Sequence, residues 1–411
     1  MRYQLQATTE AGRRLVGLAE EHAADFARRA AQHDREGSFP FENLEALKAS
    51  GFLYAPIPAA YGGMGVDLVH DVLVASSRLA QGDPSLTIGV NMHLVTIMSM
   101  ARMHSIACNR EDAARAAAVG RQMAGIVRSG GVIGAAVSEP DQDLLRQKTR
   151  AVHDGNGWVL NGRKIISSLA PAATQFAVAV DYTDVSGDER YAYAIVPRDT
   201  PGLTVHDDWD ALGMRASASV SVTFDDCRIP NAPGRGASAG VISAEYLEQT
   251  LTSGPAHATA SLGVAEGAHR TVVDAIEERR IRKGDAIVRG TVVHLAAENA
   301  LDLGAARAML GRGLGMIDEY YAAHPTGYGT LDEACALFAE VQAAKQFVNQ
   351  AAVRIVDRAM TIAGGGAFMN SHPLSRLYRD ARAGAFMQPL GANLAYEYIG
   401  AVTLGMHPER L

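Results

Sequence analysis

His93 lies in a strongly apolar helical stretch, Ser85 to Met103. Near pH 7 an imidazole there either exchanges a proton or sits as a hydrogen-bonded core residue. The run Arg279-Arg280-Ile281-Arg282-Lys283 is too short for a nucleic-acid arm. It suits a small anionic group, or a solvated helix end. Gly364-Gly365-Gly366 follows a long helical pattern, where glycines either admit a ligand close to the backbone or cap the helix. Beyond them the chain turns at His372-Pro373, restarts as a helix through Tyr378-Arg379-Asp380-Ala381-Arg382, and turns again at Met387-Gln388-Pro389. Proline stops a helix, so two corners joined by a charged helix make either a pocket wall or an ordinary connection. Ser138 and Ser168 put hydroxyls at the ends of strand-like runs. Cys108, Cys227 and Cys335 lack metal-ligand spacing, so no metal site is expected, and they are too few for a disulfide framework. A reducing, cytoplasmic setting follows.

These residues need elements to hold them. The chain has 411 residues, 48% hydrophobic and 20% charged, with a formal net charge of -7. That is the profile of a soluble globular protein with a sizeable core, and it carries no electrostatic footprint for nucleic acid. No apolar run reaches the ~18 residues of a membrane span, and the N-terminus lacks the apolar core of a signal peptide. Residues 1–130 read as helices: 11–32, a short one stopping at Gly51, then 66–80, 85–103 and 111–123, with a loop over 52–65. Residues 131–236 read as short strands: 132–137, 176–180, 191–196 and 219–224, with a turn signal at Asn161-Gly162 leading into 165–168. Residues 237–411 return to long alanine-rich helices, 244–281, 291–322 and 331–363, which with the segment after Pro389 read as a four-helix bundle. The fold class is α+β: helical domain, β-barrel or sandwich, helical bundle.

That order resembles the acyl-CoA dehydrogenase superfamily over nearly the whole chain. Pro58-Ala59-Ala60-Tyr61-Gly62-Gly63-Met64-Gly65 is similar to the family's "P..YGG.G", and Ala136-Val137-Ser138-Glu139-Pro140 to its "xTEP" strand end. Leu212-Gly213-Met214-Arg215-Ala216-Ser217 is similar to "GMR.S", Ile229-Pro230 closes the β domain as in the family, and the triple glycine with Tyr378-Arg379-Asp380-Ala381 is similar to "GG.G... RDA". The resemblance implies a homodimer or homotetramer binding FAD, or alternatively FMN, between the β domain and the bundle. It implies that Val137 and the Ser138 hydroxyl approach the flavin ring, and that the Ser168 hydroxyl bonds near flavin N5. It implies that Arg279 reaches a neighbouring subunit's flavin diphosphate, which a planar guanidinium fork suits, and that Gly364 and Gly365 admit the adenine end. It places His93 on a helix lining the substrate cavity.

The chain also departs from the family. The dehydrogenases use a glutamate to accept the α-proton of an acyl thioester. Counting from Tyr378-Arg379-Asp380-Ala381, that position holds Gln388, and an amide cannot serve. The family's second position falls near Ser253; Glu248 and Glu266 flank it out of register. "TEPGxGSD" becomes Ser138-Glu139-Pro140-Asp141-Gln142-Asp143 without the Gly-Ser pair, and the expected tryptophan is Ile166. Both changes fall where the family handles the diphosphate, the acyl-CoA chain and the flavin. A sister group on this fold, the class D flavin monooxygenases, takes reduced flavin from a separate reductase and oxygenates its substrate through a C4a-hydroperoxyflavin. It needs a donor near N5, here Ser168, and a dry pocket, here Ile166, Leu169, Phe386 and Met387. The expectation is a flavin-dependent monooxygenase acting on a small apolar or aromatic substrate of secondary metabolism, with Ser168, His93 and Gln388 at its centre. The alternatives are a dehydrogenase with a displaced base, Glu248 or His93, and a non-catalytic flavin-fold protein.

Overall fold

The computed structural model describes residues 4–141, 145–229, 231–234, 236–284 and 288–408. Gln142, Asp143 and Pro230 of the motifs above lie outside them. Thr9 accepts a hydrogen bond from the Gly12 amide and starts helix α1 (Glu10–Glu36), which ends at Gly37 in the left-handed conformation. Its buried stripe, Leu15, Ala19, Ala23, Phe26 and Ala30, recurs every three or four residues. Helices α2 (Phe41–Ala49) and α3 (Val69–Leu79) follow. The loop expected over 52–65 contains two short 3-10 turns, Phe52–Tyr54 and Ala59–Tyr61. Asp83 caps α4 (Pro84–Asn109), accepting from the Leu86 amide at 3.1 Å. Helix α5 (Ala113–Ser129) completes the first group.

Among the described residues eight strands then form one mixed sheet: β1 (Ile133–Ala136), β2 (Arg150–His153), β3 (Trp158–Ser167), β4 (Gln175–Thr183), β5 (Glu189–Pro197), β6 (Leu203–Val205), β7 (Val220–Ile229) and β8 (Ala237–Ser238). Their order is β6-β7-β3-β2-β4-β5-β8, with β1 running parallel to β4. The turn expected at Asn161-Gly162 is a bulge. β3 continues through it, and its register against β7 shifts between Leu160 and Gly162. Gly162 has φ +154°, and a Cβ there would lie 2.3 Å from Thr149 Oγ1. The glycine therefore serves close strand passage rather than reversal.

The C-terminal helices are α6 (Ala244–Thr250), α7 (Ser253–Lys283), α8 (Gly290–Ala323), α9 (Leu331–Ala363), α10 (Pro373–Arg382) and α11 (Ala392–Thr403). The single helix expected over 244–281 breaks at Leu251 and Thr252. A capping box between Thr330 and Glu333 starts α9, which packs against α7, α8, α10 and α11.

Buried polar groups tie the three parts together. Asn91 of α4 accepts from Ser76 of α3 at 2.6 Å and donates to the Ala256 carbonyl of α7 at 2.6 Å. Arg379 of α10 pairs with Asp34 of α1 at 2.5 Å and donates to the Leu212 carbonyl at 3.1 Å. Its neighbour Asp380 accepts from the Met214 amide at 2.6 Å. Burial pushes the Asp380 carboxyl up to about 6, against the pull of Arg376. Between its ordinary 3.8 and about 6, the folded chain keeps a proton there that the unfolded chain has released. In that window the group's contribution to stability weakens as the pH rises. Asp380→Asn should therefore flatten the stability curve between about pH 4 and 6, read as denaturation midpoint against pH; an unchanged slope would assign the dependence elsewhere.

Candidate active site

One cavity of about 1410 Å³ opens between α4, the sheet, the α6–α7 junction and the corner at 383–389. Ile88, Met92, Val95, Ser99, Arg102 and Ile106 of α4 line it at three- and four-residue spacing, so one face of that helix runs the length of the cavity. Val137, Ser138, Ile166, Ser168 and Gln388 all line it, together with Phe386 and Met387.

At one end hydroxyls and an amide converge. Gln388 donates from Nε2 to Ser138 Oγ at 2.7 Å, joining the bundle corner to the end of β1. The main chain of Ser138 is fixed in turn, its carbonyl accepting from the Ile165 amide at 2.8 Å. Ser168 Oγ lies 2.7 Å from Ser219 Oγ, which lies 2.7 Å from Ser217 Oγ. Ser217 and Ser219 line the cavity as well, so the single hydroxyl expected at this edge is the first of three. Ile166 and Phe386 are 55% and 72% exposed, apolar surfaces that a bound planar group can cover. Trp209 adds a wall, its indole donating to the Met214 carbonyl at 3.1 Å.

Beneath Ser138 lies a charged pair that the motif reading missed. Lys164, fully buried, donates to Glu139 Oε1 at 2.7 Å, Gln147 Oε1 at 2.7 Å and the Val137 carbonyl at 3.2 Å. Glu139 also accepts from the Lys148 and Thr149 amides at 2.6 and 2.8 Å. Burial draws the Lys164 ammonium down to about 8, and Glu139 limits the fall. Burial works to raise the Glu139 carboxyl, but the Lys164 charge and its hydrogen bonds outweigh it and hold the group below its usual range. Glu139, in the loop after β1, and Lys164 of β3 stand 25 residues apart, and a single motif could have found the glutamate but not its partner.

Two expectations need correction. His93 does not reach the cavity. It is buried, its Nδ1 accepts from the Ile133 amide at 3.0 Å, and its Nε2 donates to the Leu53 carbonyl at 3.1 Å. Burial lowers it to about 4. Both ring nitrogens are committed to backbone, so it holds β1 against α4 and is no base. Leu169 is buried in the left-handed conformation and packs on α4, where a Cβ on Gly89 would lie 2.9 Å from its Cβ. Arg279 at the exposed end of α7, and Gly364 and Gly365 after α9, do not line the cavity of this chain, and the resemblance places Arg279 against a neighbouring subunit's cofactor rather than this one's. Glu266, out of register with the second family position, is enclosed by Arg307 at 2.8 Å and Gln81 at 2.6 Å. His93→Leu is expected to leave the pH profile of turnover unchanged and to cost about 1–3 kcal/mol for each backbone group left unpaired. An inflection lost from the profile would return His93 to the chemistry.

The other end of the cavity is charged, a feature the motif reading did not foresee. Arg102 pairs with Glu248 at 3.1 Å, donates to the His324 and Gly327 carbonyls at 2.7 and 2.8 Å, and stacks on Tyr321 at 4.4 Å. Burial raises the Glu248 carboxyl, with Arg102 opposing. Tyr328 donates to Glu245 at 3.2 Å. Arg115 lines this end and its side chain makes no hydrogen bond or ion pair among the described residues. Gly89, beside Leu169, and Arg102 are 13 residues apart on α4, which puts the two ends about 20 Å apart. Ser253, at the second family position, lines the cavity and donates to the Thr250 carbonyl at 2.8 Å, so neither position carries a carboxylate.

Residues 9–107, 134–227 and 246–392 match the N-terminal, middle and C-terminal domains of acyl-CoA dehydrogenase. The chain is 34% identical to the amino sugar nitrososynthase RubN8 of Streptomyces rubradiris, covering 98% of this chain and 92% of that one. The chain belongs to the acyl-CoA dehydrogenase superfamily. It is also 34% identical to L-evernosamine nitrososynthase of a Micromonospora species, over 97% of this chain and 91% of the relative. KijD3, solved in complex with FMN and dTDP-3-amino-2,3,6-trideoxy-4-keto-3-methyl-D-glucose, superposes with a TM-score of 0.87 at 32% identity, over 98% of this chain and 96% of KijD3. As a member of this superfamily the chain is a flavin-dependent oxidoreductase. The donor set fits that group: hydroxyls and an amide at Ser138, Ser168, Ser219 and Gln388 face apolar walls at Ile166 and Trp209. A few placed donors in an apolar site are what a ring with polar edges requires. Among the described residues no helix is long and apolar enough to cross a membrane.

Proposed function

We propose that this chain is a flavin-dependent monooxygenase that oxidises the amine of a sugar carried on a nucleoside diphosphate. The carrying observation is the cavity: one end has hydroxyls and an amide where a proton-abstracting carboxylate would stand, and the other, reached at Arg102 about 20 Å away along α4, has Arg115 of α5 free to bind an anion. The nitrososynthase relatives and the FMN and dTDP-sugar of KijD3 support the same reading. Bound reduced flavin supplies the two electrons that let oxygen react, so that R–NH2 and O2 give R–NHOH and water. The Ser168 hydroxyl donates at the flavin edge, with Ser219 and Ser217 behind it. Gln388 holds Ser138 and cannot take a proton from a substrate carbon. Ile166, Phe386 and Met387 exclude water around the reacting atoms. Arg115 binds the diphosphate, with Tyr328 offering a face to the base. The flavin is FMN, as in KijD3, and the Ser-Glu-Pro loop lacks the Gly-Ser pair that the family sets against the diphosphate. A separate reductase supplies it, in the cytoplasm, where free Cys108, Cys227 and Cys335 are at home. Exposed Ile281, Val293, Leu301 and Phe368 suit a homodimer or homotetramer.

Purified protein given reduced FMN, oxygen and a dTDP-linked 3-amino sugar should yield a product heavier by one oxygen per turnover, followed by mass spectrometry. Bleaching of bound oxidised flavin by an acyl-CoA, with no reductase present, would instead favour a dehydrogenase using Glu248. A colourless protein with no affinity for FMN or FAD would favour a non-catalytic fold.

A further inference from the structure

Helix α9 carries a polar face in the middle of an apolar bundle. Gln342, Lys345, Gln346 and Asn349 are all buried and fall at i, i+3, i+4 and i+7. A core helix ordinarily fills such positions with aliphatic residues, so the stripe answers to something else. It faces the irregular backbone at 383–390. Asn349 Nδ2 donates to the Gly384 carbonyl at 2.8 Å, and Lys345 Nζ donates to the Met387 carbonyl at 2.5 Å and the Leu390 carbonyl at 2.7 Å. Three carbonyls spaced three residues apart thus find side-chain partners on one helix face, the Gly384 carbonyl also accepting from the Met387 amide at 3.4 Å. The fit is close: a Cβ on Gly384 would lie 2.6 Å from Asn349 Cγ.

Lys345 is the unusual member. It is fully buried, and among the described residues no carboxylate offsets its charge. Burial alone draws it down to about 7. His257, which faces it from α7, is itself lowered, first by burial and then by the Lys345 charge. An uncompensated buried cation is costly; a methionine of similar length would fill the space without that cost. The lysine does what methionine cannot. Its ammonium has three donors on one atom, and it spans carbonyls on both sides of Gln388-Pro389.

We propose that Lys345 is the positioning residue that sets the corner carrying Gln388, and through it the placement of Ser138 at the flavin edge. The chain of contacts is continuous: Lys345 to Met387 and Leu390, these to Gln388 between them, and Gln388 to Ser138. The proposal rests on the flavin reading only in its last link. Without Lys345 the Met387 and Leu390 carbonyls lose their partner, the corner loosens, and the Gln388 amide no longer meets Ser138 in one geometry.

Hydrogen exchange on the unliganded protein tests the first part. Lys345→Met should speed exchange over residues 383–391 about tenfold or more, while peptides of α7 and α8 stay as in the wild type. FMN titration tests the second. Lys345→Met should weaken FMN binding about tenfold, and add less than about twofold when Gln388 is already alanine. Lys345→Gln, which keeps a donor for one carbonyl, should fall between wild type and Lys345→Met, and carries the comparison should Lys345→Met not fold. Unchanged exchange at 383–391 would overturn the proposal. So would an effect on FMN affinity that adds in full to Gln388→Ala, because Lys345 would then act through the bundle at large. A wild type that binds no FMN would sink the flavin reading, and the exchange data would still decide whether Lys345 holds the corner.

Discussion

Ser168→Ala should lower substrate oxygenation on the order of 10²-fold, the loss that follows when one preorganised donor is removed from a reacting site. Oxygen consumption should continue, with peroxide replacing the oxygenated product, because oxygen still reaches the flavin but its edge has lost its donor. Ser168→Thr should recover much of the activity. The hydroxyl stands 2.7 Å from Ser219 Oγ, so it arrives already oriented by the ladder that ends at Ser217. The measurement is the ratio of product to oxygen consumed. An unchanged ratio in Ser168→Ala would reduce the three serines to packing within the sheet.

The second large effect is structural. Lys164→Met leaves the Glu139 carboxylate buried without its cation, and breaking one side of a buried pair costs about 3–5 kcal/mol. The backbone amides of Lys148 and Thr149 still donate to Glu139, which keeps the loss from exceeding that range. The Val137 carbonyl loses its donor too, so FMN affinity should fall together with the denaturation midpoint. A midpoint within experimental error of the wild type would mean that Glu139 takes up a proton at little cost.

The order of helices, sheet and helices could be read from periodicity, because long amphipathic segments and short alternating ones differ over many residues. The position of Gln388 could be read by counting from Tyr378-Arg379-Asp380-Ala381, since α10 is a rigid spacer. What escaped depends on partners distant in sequence. A lysine in an amphipathic pattern normally points to solvent, and nothing local marks Lys164 or Lys345 as buried. His93 looked chemically available because Leu53 and Ile133, which occupy its two nitrogens, are both 40 residues away. The Asn161-Gly162 pair signals a reversal in most contexts, but a bulge needs the same glycine when a neighbouring strand presses close. The charged end escaped for a similar reason, since Arg102 and Glu248 meet across 146 residues.

Helix α4 joins the two ends of the cavity as one unbroken element, and that fixes a length. A ligand satisfying both ends must bridge about 20 Å, counted at 1.5 Å per residue. On the proposed reading, a free amino sugar would fill the oxidising end and leave the arginine end empty, and a nucleotide alone would do the reverse. Selection would then be by reach before it is by ring chemistry. One helical turn inserted late in α4 would move Arg102, and α5 with Arg115 behind it, by about 5.4 Å and change which ligands are accepted, with every reacting group left where it stands.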